Sequence, residues 1–195
     1  MVFAFLLLAL QQPVAADSGL RGARDPAYAA DGRLVVSIDG DLYVQAANAG
    51  AWTRLTSGPA WDRQPTWSRD GTSIVFSSDR TGGFDLWRIA VPASGASPAP
   101  SEPERLTTSP EPDGEPSVGN DGRIVFVRGR GAMASLWSRA RDGTEQRLTH
   151  GQVAERWPTV SPDGAKVAYV AVTETGRRCA FERSSVIQPV RRTAW

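Results

Sequence analysis

Apolar residues fall along this chain in short bursts, not in long stripes. In residues 67–87, WSRDGTSIVFSSDRTGGFDLW, the turn residues Asp70-Gly71 precede the apolar run Ile74-Val75-Phe76. A second polar cluster, Ser78 to Gly83, precedes Phe84, Leu86 and Trp87. The pattern predicts strand, tight turn, strand, loop and strand. It also recurs. Pro-x-x-x-x-Asp-Gly occurs four times, from Pro26, Pro65, Pro116 and Pro158, and each copy leads into a short apolar strand: LVVSI, SIVFS, RIVFV and KVAYV. After the first three come Leu42-Tyr43, Leu86-Trp87 and Leu136-Trp137. Those units then close with Arg54-Leu55-Thr56, Arg105-Leu106-Thr107 and Arg147-Leu148-Thr149. Four landmarks in fixed order make a repeat.

Successive Asp-Gly pairs stand 39, 51 and 42 residues apart. The long interval carries PASGASPAPSEPE, residues 92–104, a Pro/Ser/Ala-rich segment expected to form a surface loop. Without it the period is near the ~40–45 residues of a four-stranded propeller blade. Each landmark has a physical role in such a blade. Asp-Gly supplies positive φ for the turn between strands one and two. The continuous apolar run suits a second strand buried on both faces by neighbouring blades. Tyr43, Trp87 and Trp137 are suited to fill the space between blades. The Arg-Leu-Thr strand is expected outermost, with polar residues facing water. A lone blade cannot bury both faces, so blades must stack.

Composition narrows the function classes. The formal net charge is +1 with 22 Lys/Arg and 21 Asp/Glu spread along the sequence, which argues against a nucleic-acid binder. One cysteine, Cys179, permits no intrachain disulfide and no cysteine metal cluster, and it lacks the partner that would activate it. The single histidine, His150, excludes paired-His zinc motifs, and no GxSxG elbow accompanies it. Asp31, Asp70, Asp121 and Asp163 stand one per repeat and are accounted for by their turns, not by a calcium loop. No cofactor, catalytic residue or metal ligand is expected. The N-terminal run MVFAFLLLAL, followed by Pro13 and small residues up to Ala16, has the pattern of a secretory signal peptide without its basic start. Export to the periplasm or the exterior is expected, with membrane tethering only if this segment stays uncleaved.

The order PxWSxDGxxIxFxSDRxGxxDLW…RLT resembles the WD-like repeat of the TolB-type propellers, the periplasmic propellers of the Tol-Pal system. The same repeat occurs in the propeller domains of prolyl-oligopeptidase-like peptidases and in some secreted amidohydrolases. The resemblance covers about residues 26–171 and is best in residues 57–107. It implies an all-β fold: a partial β-propeller of about three and a half four-stranded antiparallel blades, of a type that has six. The expected division is a signal-like segment (1–16), a linker (17–25), blades at 26–56, 57–107, 108–149 and 150–176, and an atypical tail (177–195). The tail RRCAFERSSVIQPVRRTAW is basic and lacks the repeat grammar, as a shifted frame or a truncation would produce. Open end blades would favour self-association.

In a stack of such blades, the connections between units and those between strands two and three share one face. The Asp-Gly turns share the other. On the first face are expected Trp61, Asp62 and Arg63, then Asp79 and Arg80, then Asp113 and Glu115, then Glu155, Arg156 and Trp157. Aromatics beside charges make good partner-binding loops. Asp79-Arg80 is expected to form a loop-bracing salt bridge. The functional expectation is an exported, non-catalytic module for protein–protein interaction. The alternative is the propeller portion of a secreted prolyl-oligopeptidase-like peptidase or amidohydrolase.

Overall fold

The computed structural model describes residues 22–48, 50, 52–91, 101–150, 153–172 and 185–186. Its strands form four antiparallel meanders. The first sheet is β1 (Arg24–Tyr28), β2 (Leu34–Ile38), β3 (Asp41–Gln45) and β4 (Trp52–Arg54), in that spatial order. The second is β5 (Asp62–Trp67), β6 (Ser73–Ser78), β7 (Asp85–Ala90) and β8 (Glu104–Arg105). The third is β9 (Asp113–Val118), β10 (Ile124–Arg128), β11 (Ser135–Arg139) and β12 (Glu145–Arg147), with a 3-10 turn at Gly131–Met133 before β11. The fourth is β13 (Ala154–Val160), β14 (Lys166–Val172) and β15 (Ser185–Val186).

The first strands β1, β5, β9 and β13 contact one another in succession, so they line the inner edge. Among the described residues, β4, β8 and β12 touch only their own sheets and form the outer rim. The continuous apolar runs are explained by burial on both sides. In β6, Ile74 and Phe76 face the first sheet while Val75 faces the third. In β10, Ile124 and Phe126 face the second sheet while Val125 and Val127 face the fourth. Phe76 and Phe126 are fully buried. Cutting either back to Ala would remove about 3–5 kcal/mol. Trp87 and Trp137 fill inter-sheet space as expected. Tyr43 does not: it pairs with Val36, on the side of the first sheet away from the second, because Val35 and Val44 take the shared face.

The Arg-Leu-Thr motif locks the outer strand to the Leu-aromatic strand. The hydroxyls of Thr56, Thr107 and Thr149 each accept the backbone N–H of Leu42, Leu86 and Leu136 at 2.9 Å. Arg54, Arg105 and Arg147 donate back to the same threonines' carbonyls at 2.8–2.9 Å. Arg105 also pairs with buried Asp85 at 2.6 Å, and Arg54 pairs with Asp41. At the Asp-Gly turns, Gly71 (φ 68) and Gly122 (φ 77) adopt left-handed backbone, which a side chain would strain.

The fourth sheet departs from the others. Its third-strand place is taken by Ser185–Val186, paired with Val167 and Lys166 over two residues where β7 has six. The rest of the tail, the signal-like segment and residues 92–100 of the Pro-rich loop lie outside the described residues.

Candidate functional site

The connections between sheets and the loops after β2, β6 and β10 share one end of the sheets, as their backbone bonds show. Asp62 N–H donates to Gly40 O (2.8 Å), Asp113 N–H to Phe84 O (2.7 Å) and Glu155 N–H to Ala134 O (3.2 Å). The Asp-Gly turns gather at the opposite end, where Arg33 lies 4.7 Å over the Trp67 ring and donates to Gly71 O at 2.6 Å.

The ten expected surface residues separate into three kinds. Arg63, Asp79, Arg80 and Arg156 are half-buried. Trp61 (52% exposed) and Trp157 (60% exposed) project into solvent. Four carboxylates, Asp62, Asp113, Glu115 and Glu155, are instead buried, at 8% exposure or less. They are braces under the face, not part of its outer surface. Asp62 receives two 2.7 Å bonds from Arg80. Asp113 receives bonds of 2.7 and 2.8 Å from Arg128. Glu115 is held by Arg156, and Glu155 accepts the Thr149 hydroxyl. Arg80 therefore does not pair with Asp79, its sequence neighbour. Asp62 is sealed from water and needs a compensating charge, whereas Asp79 accepts the Trp61 N–H at 2.7 Å. Arg128 is buried, which opposes its charge. The hydrogen bonds to Asp113 and the Glu145 carboxylate 2.8 Å away overcome this and raise its pKa.

A second feature of the inner edge escaped the sequence reading. The residue before the repeat's proline has positive φ in every sheet: Asp25 (51°), Gln64 (54°), Glu115 (53°) and Trp157 (52°). Each lies at a bulge in the first strand. The left-handed backbone turns that N–H toward the preceding sheet. Gln64 N–H donates to Asp25 Oδ2 (3.0 Å), Glu115 N–H to Gln64 Oε1 (3.0 Å) and Trp157 N–H to Glu115 Oε2 (2.6 Å). The signal was present in the sequence, since three of the four residues carry a side-chain oxygen at one fixed place.

Beside this relay is a cavity of about 140 Å³ lined by Arg63, Gln64, Glu115, Arg130 and Arg156 among others. Arg63 stacks 3.7 Å from the Phe84 ring centre. Burial lowers its pKa, opposed by the charges of Asp25 and Asp79, and the like charge of Arg130 pushes it the same way as burial. Its Nε is buried and has no hydrogen-bond partner. Among the described residues there is no group of three or more His, Cys, Asp and Glu placed to hold a metal ion, and no helix is long and apolar enough to cross a membrane. His150 is exposed, and Cys179 lies outside the described residues.

Residues 6–186 match the TolB beta propeller domain family, and the protein belongs to that family. The uncharacterized protein Atu1656 of Agrobacterium fabrum is 32% identical over 146 residues, 67% of the present sequence and 46% of that protein. The present sequence thus spans about half the length of that relative. The solved structure of a putative TolB from Agrobacterium tumefaciens superposes with a TM-score of 0.65 at 22% identity, over 76% of the present protein and 53% of that one. A puromycin-hydrolyzing peptidase of Mycobacterium tuberculosis superposes with a TM-score of 0.62 at 17% identity, over 79% of the present protein and 26% of that one. These structures share the fold.

Proposed function

We propose that this member of the TolB propeller family is an exported, non-catalytic protein-binding module that works through its loop face. The observation that carries this reading is the pairing of exposed Trp61 and Trp157 with the buried braces beneath them. Large exposed aromatics on a rigid support lose little entropy on docking, which is what an interface anchor requires. Placement in the periplasm or outside the cell rests on the apolar N-terminal run. The second reading, the propeller portion of a larger hydrolase, is favoured by the likeness to the peptidase, which is matched over 26% of its length.

A photo-crosslinking residue placed at position 61 or 157, and at Arg69 on the turn face as control, tests the proposal in cells of the source organism. The same partner protein should be captured from positions 61 and 157 and not from 69. Equal capture from both faces would overturn it. Peptide or amide turnover by the purified protein, abolished by His150→Ala, would overturn the non-catalytic part of the proposal.

A further inference from the structure

Most arginines on the loop face have their charge answered. Arg80 is held by Asp62, Arg128 by Asp113 and Glu145, and Arg156 by Glu115. Two that line the 140 Å³ cavity are different. Arg130 is exposed, and its guanidinium makes no hydrogen bond or ion pair among the described residues. The Arg63 side chain makes no hydrogen bond or ion pair among the described residues, although Asp25 and Asp79 act on its charge from a distance. Its Nε is sealed from solvent, so its terminal nitrogens are the ones a ligand in the cavity can reach. The two cations repel each other across the cavity. The acidic groups in the lining are already committed: Glu115 binds Arg156 and the Trp157 N–H, and Asp113 binds Arg128. A site with unused cationic donors, whose carboxylates are already engaged by other groups, is suited to receive an anion.

Size and surroundings narrow the anion. At about 30 Å³ per water, the cavity accommodates a carboxylate together with its methylene stem. Arg156, in the same lining, lies 5.6 Å from the ring of exposed Trp157, so a peptide bearing that carboxylate would run past an aromatic surface. We propose that the cavity between Arg63 and Arg130 binds one carboxylate of a partner polypeptide, from either an acidic side group or the partner's C-terminus. This deepens the protein-binding reading and rests on it, because it names the chemistry of the segment that the loop face would take.

The test is an NMR titration of the arginine Nε–Hε signals. The probes are a blocked peptide with one internal Glu, a peptide whose only carboxylate is its C-terminus, a blocked Gln peptide and acetate. A saturable shift of the Arg63 signal with one or both carboxylate peptides is expected, and which of the two binds identifies the source. Arg130→Gln, an exposed change that leaves the braces intact, should weaken binding about tenfold by removing one charged hydrogen bond. Arg69→Gln on the turn face should leave it unchanged. Equal response to the Gln peptide, no saturable shift, or an unaltered Arg130→Gln affinity would overturn the proposal. Acetate binding as tightly as the peptides would overturn its polypeptide part. The crosslinking experiment separates this from the broader reading. Capture at positions 61 and 157 that Arg130→Gln leaves intact rejects the carboxylate site alone, and carboxylate binding without capture rejects the interface alone.

Discussion

In the second sheet the buried carboxylate of Asp62 meets Arg80, which comes from the loop after β6. In the third, Asp113 meets Arg128, the last residue of β10. Asp62 and Asp113 correspond in the repeat, but the two arginines do not. Ser78, not Arg80, stands opposite Asp62 in the ladder where Arg128 stands opposite Asp113. Yet both guanidiniums arrive over matching rings: Arg80 lies 4.9 Å from Trp87 and 5.5 Å from Phe76, and Arg128 lies 4.6 Å from Trp137 and 5.2 Å from Phe126. The repeat keeps a place in space for positive charge, and the long, flexible arginine side chain reaches it from either backbone origin. The burial differs too. The Arg128–Asp113 side chains are 9% and 0% exposed, against 22% and 3% for Arg80–Asp62.

That difference sets the largest expected effect. Arg128→Ala strands a sealed carboxylate and should cost about 3–5 kcal/mol in denaturant unfolding. Arg80→Ala should cost less, about 1–3 kcal/mol, because water can follow the loop in to Asp62. Equal losses would mean that burial does not separate the two clamps. Combining Arg128→Met with Asp113→Asn removes both charges and should recover much of the loss. A double variant as unstable as Arg128→Ala would show that packing over the Phe126 and Trp137 rings, not charge, is what Arg128 contributes.

Turn residues, apolar runs and the Leu-aromatic and Arg-Leu-Thr landmarks were legible because each works through near neighbours. Asp70 bonds its own turn, and Thr107 bonds the strand beside it. The clamps were not legible, because adjacency in sequence pointed Arg80 at Asp79 while the β5–β6 ladder sets Asp62 opposite Ser78, within reach of the Arg80 side chain. The Asp25–Gln64–Glu115 relay was hidden by its mixture of residue types, although all three share an acceptor oxygen before proline. Arg130 belongs to the RGRGAM segment, residues 128–133, which departs from the repeat, so no pattern marked it. Of the residues expected on the loop face, Trp61 lies exposed in the connection before β5, Trp157 lies exposed at the bulge within β13, and the four carboxylates lie buried. A loop position in the repeat does not say whether a side chain turns outward or back onto an arginine or hydroxyl.

A smaller effect compares the locks of the outer strands. Thr107 is fully buried, and its hydroxyl is the acceptor for Leu86 N–H. Thr107→Val keeps the shape and orphans that N–H, so about 1–3 kcal/mol should be lost, and Thr107→Ser should retain the hydrogen bond and lose less. If Ser and Val prove equally damaging, the methyl group contributes as much as the hydroxyl, and a Val variant as stable as the parent would show that the hydroxyl contributes nothing.

The smallest effect lies at the turn face. Hydrogen bonds from the Ser68 hydroxyl and from the Thr72 N–H and hydroxyl lower the Asp70 pKa to about 2 from the usual 3.8. Asp31, Asp121, Asp142 and Asp163 are lowered as well: each accepts hydrogen bonds from its own turn, Asp163 from the Ser161 hydroxyl, and at Asp121 these bonds outweigh the opposing effect of burial. A depressed folded pKa contributes stability that is fully present above the unfolded value near 3.8. That contribution fades as the pH falls through about 2, where Asp70 takes up its proton in the folded protein. The carboxyl carbon shift of Asp70, followed by NMR, should therefore have its midpoint near 2. In Ser68→Ala with Thr72→Ala the midpoint should climb back toward 3.8, since the two hydroxyls are removed and only the backbone donor remains. A midpoint that does not move would place the cause in the backbone turn, which the Asp-Gly step shares with every other sheet, and not in the hydroxyls that flank this one.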